Sequence, residues 1–130
     1  MDKETRNWID MADYDIVTAK QMFKTGRYVY VIFMCHLAIE KSFKAIVYEE
    51  TNKLPPKTHD LIYLLSIGNI KLAGDLLDFV GIINNAAIVT RYPEDLSELV
   101  SNYPKEIAKR YLDKTLEVIK CIKQDPGLKE

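Results

Sequence analysis

The chain is poor in the residues that most often announce a chemistry by motif. Its two cysteines, Cys35 and Cys121, stand in no C-x-x-C or Cys/His ligand spacing, which argues against zinc. Five glycines never gather into a phosphate loop, and neither H-E-x-x-H nor G-x-S-x-G occurs. No metal and no cofactor is therefore expected. Excess positive charge is missing too: the formal net charge is −1 and the pI near 6.1, so any contact with nucleic acid must be a local patch. An apolar signal core is absent from the opening MDKETRNWID, and cysteine is scarce, so a cytoplasmic location is expected.

A long uncharged run is the last thing lacking. Fifteen of the twenty residues from Val29 to Tyr48 are apolar or aromatic, but Glu40, Lys41 and Lys44 interrupt the second half. Each charge near a bilayer centre costs roughly 2.5–3.5 kcal/mol on the lenient insertion scale. The segment reads as a buried helix of a soluble bundle, with no membrane involved.

What is present is helical periodicity, with no convincing strand alternation. A first helix is expected from about Asp2 to Lys24, with Trp8, Ala12, Asp15, Ala19 and Met22 on one face. Gly26 offers its stop. A second helix runs from about Tyr28 to Glu50 and ends before Pro55-Pro56. THDLIYLLSIG reads as a short helix, with Thr58 as N-cap and Asp60 in the first turn. A third long helix fits Leu72 to Val89, closed by Pro93. Residues Glu94 to Tyr103 form a short helical or irregular connection. The last helix spans Pro104 to Lys123, with proline in its first turn. The sum is an all-α, up-and-down antiparallel bundle of four long helices plus one or two short ones: a single domain over 1–124, with 125–130 a frayed tail.

One helix carries an oddity. His36, Glu40 and Lys44 fall within about 80° of one another on the second helix, among apolar neighbours, with Lys41 to one side. A helix apolar almost all round is central, so its polar stripe faces a cleft, a subunit interface or other polar groups. Asp15 repeats the pattern on the first helix. A buried carboxylate there needs a partner, and Lys41, Lys44 and Arg91 are the candidates. One polar cluster is expected. The bland alternatives stand beside it: Glu40–Lys44 as an ordinary i,i+4 pair or a dimer seam, His59 as a cap or loop packer, and Arg91 as a cation at a helix C-terminus.

The same residues carry a resemblance. Trp8, Ala12, Asp15 and Ala19 give W-x3-A-x2-D-x3-A. Gly26–Tyr28 give G-R-Y, and Ala38, Glu40, Lys41, Lys44 and Ala45 give A-x-E-K-x2-K-A. Pro55–Leu61 give P-P-x-T-H-D-L, and Arg91–Pro93 give R-Y-P. In this order the motifs resemble the HEPN domain family over about Trp8 to Ile122. The resemblance implies a helical bundle, a homodimer, a minimal nucleotidyltransferase partner in a toxin–antitoxin setting, and nucleotide or RNA binding. Under it, Lys41, Lys44 and Arg91 would meet phosphate oxygens. Asp15, Glu40, Asp60 and Tyr92 would build the polar cluster or interface.

Many members of the family are metal-independent ribonucleases carrying R-x4–6-H. Here YPEDLSE follows Arg91, with Leu96 and Glu98 where histidine would fall, and no histidine occurs later. A nuclease reading therefore requires Arg91 to meet His36 or His59 in space, with histidine as base and arginine on the phosphate. A purely structural interaction protein is the further alternative.

Overall fold

The computed structural model describes residues 1–92 and 94–128. Helices α1 (Lys3–Lys24), α2 (Tyr28–Thr51), α4 (Gly74–Arg91) and α6 (Lys105–Lys123) are the long members of the bundle. The short helices α3 (Leu61–Ile67) and α5 (Leu96–Asn102) join them, and a 3-10 turn at Pro126–Leu128 follows α6.

Helix α2 is central, packing against α1, α3, α4 and α6. Its pattern explains why: Val31, Ile32, Ile39, Phe43 and Val47 are buried in several directions around the axis. Ile9, Ala12 and Ala19 cover it from α1. Val80 and Ile83 do so from α4, and Ala108, Val118 and Ile122 from α6. The edge-on pair Phe79–Tyr111, with ring centres 5.6 Å apart, joins α4 to α6.

The ends of the helices follow local chemistry. Asp2 caps α1 by accepting from the Glu4 N–H. Gly26 takes the left-handed conformation (φ 80°), and the next N–H, of Arg27, returns to Met22 O at 2.8 Å. Helix α2 stops earlier than its prolines demand, because Asn52 is already left-handed at φ 55°. The N-cap of α3 is Asp60, not Thr58. The Thr58 hydroxyl instead accepts from the Asp60 N–H, a small turn that delivers the carboxylate to the helix start. Helix α4 begins at Gly74, two residues after the expected Leu72, and ends at Arg91; Pro93, the expected stop, lies outside the described residues. Pro104 sits at the N-cap of α6, one place before the first turn where it was expected. Within the tail, Pro126–Leu128 form the 3-10 turn and Leu128 is buried against the core; Lys129 and Glu130 lie outside the described residues. No helix among the described residues is long and apolar enough to cross a membrane.

Candidate functional site

Two turns of α2, the last turn of α4 and the loop before α3 meet around one cavity. Arg91 ends α4, and its Nη2 lies 3.5 Å from His36 Nδ1. Its guanidinium carbon lies 4.9 Å from the centre of the Phe33 ring, one turn before His36 on α2. Arginine has only donors, so the Nδ1 that it faces is an acceptor and the His36 proton sits on Nε2. Burial pushes the His36 pKa down to about 4. The nearby Glu40 carboxylate opposes that shift, and the Arg91 charge adds to it. His36 is thus neutral at physiological pH.

His59 differs. Its side chain is 65% exposed, and Nδ1 lies 2.8 Å from Glu40 Oε1. An ionised carboxylate only accepts, so Nδ1 donates and the neutral ring is left with Nε2 as a free base. The other Glu40 oxygen, Oε2, takes Lys44 Nζ at 3.1 Å, and both of these side chains are buried. Lys44 also lies 5.5 Å from the Trp8 ring centre.

Asn84 closes the arrangement. Its Oδ1 accepts the Leu61 N–H at 2.9 Å, and its Nδ2 donates to Asp60 Oδ1 at 3.2 Å, pinning the start of α3 to α4. Together His36, His59, Asp60, Asn84, Ala87, Ile88, Arg91 and Tyr92 line a half-open cavity of about 340 Å³. The Nε of Arg91 is buried with no hydrogen-bond partner, and among the described residues Arg91 makes no ion pair. A cation without a counter-ion among the described residues, set in a mainly apolar hollow with a few polar groups, is suited to receiving an anion.

The expected single polar cluster is in fact two. His36, Glu40, Lys44, His59, Asp60 and Arg91 gather around or behind the cavity. Asp15 instead pairs with Lys41 at 2.7 Å on the side of α2 that faces α1. Lys41 and Lys44, expected on phosphate, have their ammonium groups on Asp15 and Glu40, and neither lines the cavity. Arg91 is left as its one fixed cation. Tyr92 does line the cavity, and is 78% exposed. Asn84 was not singled out from the sequence. Its signal was there: Asn84, Ala87, Ile88 and Arg91 stand at i, i+3, i+4 and i+7, one polar-ended stripe along a single face of the helix. Among the described residues, no group of three or more His, Cys, Asp or Glu is placed to hold a metal ion.

Fold and family agree. The HEPN domain family model matches residues 5–125, and the chain belongs to that family. Two solved structures share its fold. TT1696 from Thermus thermophilus is 19% identical with a TM-score of 0.81, the match covering 95% of this chain and 98% of that one. ST0689, an archaeal HEPN homologue, is 17% identical with a TM-score of 0.74, covering 94% and 97%. No curated protein matches the chain.

Proposed function

We propose that the Arg91 cavity binds a phosphate group, and that the chain is a nucleotide- or RNA-associated HEPN module. The observation that carries this is the Arg91 guanidinium: fixed over Phe33, facing an imidazole that is neutral, and, among the described residues, lacking a carboxylate partner. Its planar fork suits the paired oxygens of a phosphate, and Tyr92 offers an exposed ring beside it for a base. A homodimer is proposed on the ground of the family alone. A nucleotidyltransferase partner follows from the family setting. Calorimetric titration with nucleotides and RNA tests the site: Arg91→Ala is expected to weaken binding at least tenfold. If that variant leaves nucleotide, RNA and partner binding all unchanged, the site is misassigned.

The Glu40–His59 contact favours a second reading, a metal-independent ribonuclease. The carboxylate fixes the ring so that Nε2 is free to take a proton from a ribose hydroxyl, while Arg91 steadies the phosphate. His36 is unsuited to that work, since its low pKa makes it a feeble base. Cleavage that persists in a chelator, and is lost in His59→Ala, supports the enzyme. Saturable binding without turnover leaves the binding module.

A further inference from the structure

Resting on the phosphate-binding reading, we infer that the cavity takes one nucleotide unit carrying a terminal phosphate monoester and excludes the interior of a strand. The surroundings of the cavity carry this more than the cavity itself. At about 340 Å³ it is near the small end of ligand sites; Arg91 is the one Lys or Arg among its described lining residues, and the Asp60 carboxylate there is engaged by the Ile62 and Tyr63 N–H groups and by Asn84.

Two hollows adjoin the cavity beside Arg91. Beyond Tyr92 and Ile88, toward α5, lies an adjoining hollow of about 400 Å³ that Glu94, Asp95 and Glu98 line. A neighbouring phosphodiester in that direction would meet three carboxylates. Toward α2, a groove is lined by Tyr30, Phe33, Leu37 and Thr90, an apolar and aromatic surface. That groove also includes His59, Tyr92 and Arg91 itself; it suits the face of a planar base, and beyond Arg91 its described lining holds no Lys or Arg for a second phosphate.

Across all three hollows Arg91 is the only Lys or Arg among the described lining residues. Proteins that hold a strand by its backbone use several cations in a row, and their affinity falls steeply with salt. One cation between an acidic flank and an apolar flank is the opposite layout. It selects for charge concentrated in one group. A monoester carries about −1.5 to −2 at neutral pH and three strong acceptor oxygens, whereas an internal diester carries a single charge. Arg91 can bond two of those oxygens, which leaves the third for the second Nδ2 hydrogen of Asn84. The acidic flank repels any longer occupant, so discrimination comes from repulsion as well as attraction.

The shared chemistry, a phosphate monoester on a nucleoside, has two sources: a free nucleoside monophosphate or the phosphorylated end of an oligonucleotide. Calorimetric titration of the full chain separates them, using a nucleoside 5′-monophosphate, a 5′-phosphorylated dinucleotide and a hydroxyl-ended dinucleotide with only an internal diester. The monophosphate is expected to bind at least tenfold more tightly than the hydroxyl-ended dinucleotide, with a log–log salt slope near −1. Binding of the phosphorylated dinucleotide comparable to the monophosphate places the site on strand ends; weaker binding places it on free nucleotides. Either result supports the inference. A triple variant, Glu94→Gln, Asp95→Asn and Glu98→Gln, keeps an α5 cap residue and is expected to raise affinity for a hydroxyl-ended trinucleotide, whose second diester reaches the flank, at least threefold, and to raise that for the monophosphate by less. Equal binding of monophosphate and hydroxyl-ended dinucleotide by the unmodified chain overturns the inference while phosphate binding stands. If none of the three binds, the phosphate-binding reading fails and takes the inference with it.

Discussion

His59 Nδ1 lies 2.8 Å from Glu40 Oε1, so a carboxylate buried in the bundle fixes the ring of an exposed histidine at the mouth of the cavity. The same carboxylate neutralises Lys44 behind it. One side chain thereby joins the core to the site.

Removing that charge should be felt in stability. Glu40→Gln leaves Lys44 buried without its counter-ion, and breaking such a pair costs about 3–5 kcal/mol. Urea unfolding should show a lowered midpoint with an unchanged slope. Adding Lys44→Met is expected to restore much of the loss, because two matched apolar or neutral groups no longer strand a charge.

His36 gives stability a pH dependence of known sign. Its folded pKa, about 4, lies below the ordinary 6.5, so the unfolded chain binds the extra proton first as pH falls. The contribution is complete above pH 6.5 and is lost between 6.5 and about 4, amounting to about 2 kcal/mol by pH 5. Unfolding curves at pH 7.5 and 5.0 should show a steeper loss for the unmodified chain than for His36→Gln. Identical losses would mean that His36 titrates normally.

Asp60 should matter to α3 more by its oxygen than by its charge. Oδ1 accepts from the Ile62 and Tyr63 N–H groups and from Asn84. Asp60→Ala should cost about 1 kcal/mol, as loss of an N-cap does, while Asp60→Asn should retain most of it. Thr58→Ala is expected to be the milder change, measured in the same denaturant series.

Arg91 should be nearly dispensable for folding. It is partly exposed in the last turn of α4, where a cation and one cation–π contact together contribute about 1 kcal/mol. A small stability loss in Arg91→Ala beside a large loss of phosphate binding separates function from structure. Arg91→Lys keeps the charge but not the fork, and should bind with intermediate affinity.

Much of this was legible in the sequence. Turn residues and apolar spacing place the four long helices to within two residues, and the polar stripe on α2 marks the right face. Thr58 misled because two small polar residues precede α3, and only the turn between them decides which one caps it. Spacing along a helix shows which residues share a face, but not which neighbour covers that face. The two polar groups on α2 therefore could not be separated before α1 and α4 were in place. Arg91 and His36 are 55 positions apart, and no local pattern announces their meeting. Asn84 escaped notice because an asparagine inside an apolar helix reads as a flaw until the α3 backbone it serves is seen.

The most direct test follows the Arg91 Nε–H resonance by ¹H–¹⁵N NMR while a nucleoside 5′-monophosphate is added. A buried donor with no partner should show a large, saturable shift at Arg91, together with shifts at His59 and Tyr92. Saturable shifts on another face of the bundle, with Arg91 unmoved, would contradict the phosphate-binding account at its root.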